Sequence, residues 1–436
     1  MFRPSPLHFA LALCVLASPA LAQETPIAFS GARLLPINGA EIASGTLLVQ
    51  GGKILAVGPV DQVSLPAGTT VIDASGKVLM PGLVDTHSHL GGGGAADRSA
   101  PIQPDVSVFD AIDVRDAGFQ RAQAGGITTA NVMPGSGHLM SGQTAYIKFR
   151  DKNTIEEWVI RDEAGKPMGG MKMANGTNSR RAAPFPGTRG KSAALVREQY
   201  IKAQAYRDKI ERAAGDPEKM PERDLGMEAL VEVLAGTRIV HHHTHRHDDI
   251  ITVLRLSKEF GFRVVLHHVS EAWKVTAEIA AAGVPCSLIL IDSPGGKLEA
   301  VDVGYKAGGM LEKAGALVAF HTDDPITDSR LFFRSAALAV RAGMSRAGAL
   351  RALTQNAAEM MDLGQRIGSL EVGKDADFIL LDGDPLSVYS KVQETWIDGV
   401  RVFDRSDPQD RLWAVGGLGA GQSRVLNVCC DRGEEN

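Results

Sequence analysis

Cysteine is scarce, with four residues in a chain of 436. Cys14 falls in a leader-like start. That leaves Cys286, Cys429 and Cys430, an odd number and too few for a disulfide framework. Cys429 and Cys430 are adjacent, and a free pair, a vicinal bridge and a pairing between chains all stay open. Basic charge is short as well. Lys and Arg number 46 against 51 Asp and Glu, a formal net charge of −5, and no basic stripe or tail stands out, which argues against a nucleic-acid partner. No apolar run is long enough to span a bilayer, so no membrane span is expected. The apolar share of 44% is ordinary for a protein with a substantial core.

The first 22 residues read as a signal peptide. Arg3 supplies a positive start, Phe9 to Ala17 an apolar run, and Ala20-Leu21-Ala22 a small-x-small cleavage site before Gln23. Leu13 is too large for the residue preceding a lipid-modified Cys14. The expectation is an exported, periplasmic protein.

From 23 to 80 the chain reads as short strands separated by turn signals at Asn38-Gly39, Gly51-Gly52 and Pro66-Ala67-Gly68. From 81 to 364 strands alternate with helical stretches such as Phe109 to Ala124, Lys191 to Glu232 and Ile250 to Phe260. That rhythm belongs to parallel βα units, and about eight strands fall after Val84. From 365 to 411 period-two strands return, and 412–436 reads as a flexible tail. The expected architecture is α/β: a (β/α)8 TIM barrel with a composite β-sandwich built from both flanks.

The chain is organised around Pro81-Gly82-Leu83-Val84-Asp85-Thr86-His87-Ser88-His89-Leu90-Gly91. Alternate side chains on a strand share a face, so His87 and His89 point the same way and make a chelating pair. A lone His-x-His is weak evidence. Here, however, His243 ends the fifth expected strand, His268 the sixth, and Asp323 follows the eighth. In a barrel those strand ends converge on one mouth. His241, His242 and Asp324 read as packing, surface or capping residues.

These residues, together with HTDDP, TQNAAEMMDLGQRIGSLEVGKDADFILLDGDP and TWIDGVRVFDR, resemble the amidohydrolase superfamily. The likeness is greatest to its imidazolonepropionase-like branch, which includes prolidase-like dipeptidases, and it covers Pro26 to Arg405. It implies that His87, His89, His243, His268 and Asp323 hold one or two divalent ions, with Zn2+ expected. It also implies that Asp323 acts as base and that a carboxylated lysine bridges two ions where two are present. Lys172 best fits that place and Lys148 is the rival.

Neutral imidazoles and carboxylates suit zinc. The ion lowers the pKa of a water to about 7 and polarises a carbonyl. The expected activity is therefore hydrolysis of a C–N bond in a small-molecule substrate, such as an X-Pro dipeptide or an N-acyl amino acid. His138, after strand two, and His245, two residues past His243, are candidates to touch substrate. Arg189, with Arg180 and Arg181, is a candidate to hold a substrate carboxylate bidentately. Deamination or ring opening is the alternative within enzymes. A tract His241 to His247 that merely sequesters metal is the alternative outside them. Self-association into a homo-oligomer stays open.

Overall fold

The computed structural model describes residues 25–92, 97, 99–290 and 298–416. The leader, Cys429, Cys430 and the chain beyond Gly416 lie outside the described residues. The first flank holds β1 (Ile27–Leu34), β2 (Ile42–Gln50), β3 (Lys53–Pro59), β4 (Thr70–Asp73) and β5 (Val78–Pro81). The middle of the chain holds β6 (Leu83–Ser88), β7 (Ile127–Val132), β8 (Met140–Gln143), β9 (Ala145–Lys148), β10 (Met171–Ala174), β11 (Val240–Thr244), β12 (Val264–His268), β13 (Cys286–Leu288) and β14 (Val318–Phe320). β15 (Phe378–Leu381), β16 (Val392–Ile397) and β17 (Val400–Asp404) close the second flank.

The two flanks meet in one eight-stranded sheet, ordered β17-β16-β15-β5-β1-β2-β3 with β4 beside β1. The expected composite β unit is present, but its strands form one forked sheet because β5 is bonded to both flanks. It runs parallel to β1 at Arg33 and Leu34 and antiparallel to β15, with Met80 opposite Ile379. The fork lies at Gly31, whose φ of 85° makes a bulge that few other residues accept. Phe29, Phe378 and Trp396 pack in edge and stacked contacts, with centroids 4.8 to 5.7 Å apart, and centre this sheet's apolar cluster.

In the middle of the chain β6 and β7 are parallel, and β10 to β14 are parallel in sequence order. The expected run of eight parallel strands is corrected between them. β9 is antiparallel to β7, and β8 is antiparallel to β10. A parallel return needs a crossover of roughly a dozen residues or more. Only Thr144 separates β8 from β9, so this near-continuous stretch pairs antiparallel with a neighbour on each side. β14 meets β6 through single bonds: the Asp323 N–H donates to His87 O at 2.9 Å and the Thr322 N–H to Asp85 at 3.1 Å.

The helices also differ from the periodicity in places. The one expected from Phe109 is a 3-10 turn and then a helix Ala117–Ala124, because Asp116 takes the Gly118 N–H at 2.6 Å and starts the helix there. The Lys191 to Glu232 stretch is two helices, Arg189–Ala213 and Leu225–Leu234, parted where Ala214 and Gly215 turn left-handed. The expected tail begins as helix, since Pro408–Val415 is helical. Among the described residues no helix is long and apolar enough to cross a membrane.

Candidate metal centre

The ends of the parallel strands gather an unusually dense set of imidazoles. His87 and His89 share a face at the end of β6, and their Nε2 atoms lie 3.3 Å apart. Asp323 Oδ1 lies 3.3 Å from His87 Nε2 and 3.0 Å from His89 Nε2. Lys172, on β10 and fully buried, brings Nζ to 3.0 Å from His87 Nε2. His268 joins from β12, so that His87, His268 and Asp323 present ligand atoms within 4.8 Å of one another. His243 packs on His268 with ring centroids 4.3 Å apart.

These atoms fit a metal ion. Met133 O can only accept a hydrogen bond, so His89 donates from Nδ1 at 2.8 Å and, in its neutral form, offers a lone pair at Nε2. Burial first, and the Lys172 charge second, push His87 well below the ordinary imidazole range, so its ring is neutral. Lys172 Nζ meets the His87 lone pair, while a lone pair at His89 Nε2 and the Asp323 oxygen 3.0 Å from it repel unless a cation lies between them. His268 Nε2 is buried without a hydrogen-bond partner among the described residues. Imidazole and carboxylate donors suit zinc and its neighbours in the first transition row.

Beneath the cluster the ring nitrogens continue in two buried chains. With His87 Nε2 turned to the cluster, its Nδ1–H donates to His267 Nδ1 at 3.3 Å. His267 Nε2 then donates to His241 Nδ1 at 2.9 Å, and His241 Nε2 to the Tyr146 hydroxyl at 2.8 Å. On the other side His268 Nδ1 meets His321 Nε2 at 3.2 Å, and His321 Nδ1 meets Ser287 Oγ at 2.7 Å. Such outer partners fix tautomer and ring orientation.

Asp85 fixes the backbone of the site. It accepts the His87 and Thr322 N–H groups, at 3.2 and 3.1 Å, and the Thr322 hydroxyl at 2.5 Å. Burial pushes its carboxyl up to about 7. For Asp323 burial acts the same way, but the His89 imidazole 3.0 Å away, with His321 and Lys172 behind it, outweighs burial and holds the carboxyl below the ordinary range. His268, Val269 and Asp323 have φ of 70°, 42° and 51°, left-handed values that a non-glycine residue keeps only under constraint.

The structure separates the remaining residues singled out from the sequence. Lys148 lies apart from the cluster, with Nζ 2.7 Å from Asp375, 2.9 Å from Asp377 and 2.5 Å from Asp398. His245 is 5.1 Å from His268 by ring centroid and bonds Ser270 Oγ at 2.8 Å. His138 is buried against Phe185. Arg189 has Nε 2.9 Å from both oxygens of Asp249, and a terminal nitrogen lies 3.5 Å from Glu299, so its fork is spent on this chain's own carboxylates. Arg181 is engaged with Gly137 O and lies over Phe185. Asp324 accepts from Ser329 N and Oγ, as a capping residue should. His241 is more than packing, since it belongs to the chain that ends at Tyr146. His267, His321 and Asp85 are not singled out by the sequence; Asp85 stands two residues before His87 on β6 and shares its strand face, whereas His321 lies past the end of β14.

The model of the Amidohydrolase family matches residues 78–402. The chain belongs to the amidohydrolase family. It is a hydrolase of carbon–nitrogen bonds in a family whose chemistry is generally metal-dependent, and its fold is the family's α/β TIM barrel. A crystal structure of an amidohydrolase from Thermotoga maritima MSB8 is 35% identical, with a TM-score of 0.81, and the likeness covers 87% of this chain and 100% of that one. Amidohydrolase tasK of Hapsidospora irregularis is 28% identical over 393 residues, covering 83% of this chain and 40% of tasK, so the amidohydrolase spans about two fifths of that relative. Imidazolonepropionase of Symbiobacterium thermophilum is 24% identical over 392 residues, 79% of this chain and 85% of that enzyme.

Proposed function

We propose that this amidohydrolase cleaves the amide bond of a small substrate, an X-Pro dipeptide or an N-acyl amino acid, at the cluster of His87, His89, Lys172, His243, His268 and Asp323. The observation that carries this reading is the approach of His87 Nε2, His89 Nε2 and Asp323 Oδ1 to within 3.0 to 3.3 Å of one another. One or two divalent ions, Zn2+ in our reading, held there would acidify a water and polarise the scissile carbonyl. Asp323 takes the proton of the attacking water and returns it to the leaving nitrogen. The Met133 carbonyl and the Tyr146 chain hold His89 and His87 in the tautomer that presents Nε2. Of the two candidate lysines Lys172 would help hold the ions, because Lys148 is bound up with three aspartates.

Likeness to an imidazolonepropionase over most of both chains supports a second reading, ring opening of a cyclic amide by the same residues. A hydrolysis screen of X-Pro dipeptides, N-acyl amino acids and cyclic imides with zinc-loaded protein separates the two. Turnover of one class that disappears in His87→Ala supports the site. Turnover that survives in His87→Ala sinks it.

A further inference from the structure

A second group of donors stands beside the first. His243 and His245 lie at the end of β11 with ring centroids 4.7 Å apart, and with Glu299 they bring three ligand atoms within 4.8 Å of one another. Glu299 is 4% exposed. Its two oxygens have different surroundings. Oε2 takes the Thr177 N–H at 2.9 Å and lies 3.5 Å from Arg189, while Oε1 is buried with no hydrogen-bond partner among the described residues. Leaving a buried carboxylate oxygen unsatisfied is costly, and a cation at that oxygen removes the cost.

The backbone makes room for this arrangement. Gly176 has φ of 70°, and a Cβ there would lie 2.7 Å from Oε2 and 3.0 Å from Oε1, so only glycine lets the carboxylate sit where it does. His245 Nδ1 pairs with Ser270 Oγ at 2.8 Å, the kind of outer hydrogen bond that orients a ligating imidazole. The deeper trio of His87, His267 and His321 carries less, because the ring nitrogens of His267 and His321 are already paired within the buried chains.

We propose that His243, His245 and Glu299 form a further cation site, two imidazoles and one carboxylate suited to a divalent first-row transition ion. The site shares His243 with the cluster proposed above and adds His245 and Glu299, which that cluster lacks, so it rests on that reading only through His243 and its failure is read separately at Glu299. The test uses the full chain, stripped by chelator and titrated with Co2+, read by visible absorption and by metal content per chain. Glu299→Gln should weaken one class of sites by at least ~10-fold and leave the other intact. His87→Ala should weaken the complementary class and keep the ion at Glu299. Parent-like stoichiometry and affinities in Glu299→Gln, or loss of all Co2+ binding in His87→Ala, overturn the site. So does unchanged Co2+ binding with a raised KM confined to substrates bearing a free amino group, which would make Glu299 a contact for substrate ammonium. Should Glu299→Gln fail the circular-dichroism check of folding, His245→Gln is read by the same criteria.

Discussion

Lys172 Nζ lies 3.0 Å from His87 Nε2, while the other fully buried candidate lysine, Lys148, is held among Asp375, Asp377 and Asp398. Two lysines in successive strands of different sheets thus have opposite surroundings. One faces imidazoles at the strand ends. The other faces carboxylates from the second flank, and ties the barrel to the flanking sheet.

Substituting each lysine should therefore have different consequences. Lys148→Met leaves three aspartates without their central cation, a buried-pair loss of roughly 3–5 kcal/mol, and should lower the melting temperature sharply. Lys172→Met should lower metal content and turnover with a much smaller effect on melting. Equal effects of both variants on metal content would contradict the separation.

Asp323→Asn keeps the shape of the side chain and removes its basicity. Turnover should fall by about 10²–10⁴-fold, the usual contribution of a positioned general base, while elemental analysis finds the ions retained at a reduced affinity. A variant as fast as the parent removes Asp323 from the proton transfer.

Tyr146→Phe takes away the acceptor for the His241 Nε2–H at the end of the imidazole chain. A buried donor left unpaired costs about 1–3 kcal/mol, and the loss of outer orientation should weaken metal binding by ~10-fold or more. Competition against a chromogenic chelator measures that shift. Unchanged affinity would show that the chain does not reach the ligands.

Acid should destabilise the metal-free protein. Burial pushes His241 and His321 down to about 3, and holds His87, His267 and His268 well below the ordinary value. In the unfolded chain each takes up a proton below about 6.5. The unfolded state therefore binds more protons, and stability is present above that pH and lost as pH falls through it, by up to about 1.4 kcal/mol per pH unit for each histidine. Asp85 has the opposite sign, since its raised value favours folding at low pH and that contribution fades as pH rises towards about 7. His242, pushed down to about 3, adds to these histidines, and Asp377, pushed up to about 6, adds to Asp85; the histidines outnumber these two carboxyls, so the melting temperature should drop between about pH 6.5 and about pH 5. A flat or rising profile there would show that these imidazoles accept protons in the folded state.

Much of this protein was legible in the sequence, because local rules are written locally. Period-two alternation put His87 and His89 on one face, and the change from short strands to βα rhythm and back marked the two flanks. The same alternation places Asp85 beside His87 on β6, whereas His321 and Asp323 lie past the end of β14, where no strand period applies. Tertiary structure alone decided what depends on residues far apart meeting in space. Lys172 and Lys148 both end up fully buried in strands, and only the pairing of β9 with β7 and of β10 with β8 and β11, with the docking of the second flank, gives one imidazoles and the other carboxylates as company. Glu299 in turn acquired its meaning from Gly176 and His245, since the cost of an unpaired buried oxygen is set by what surrounds it.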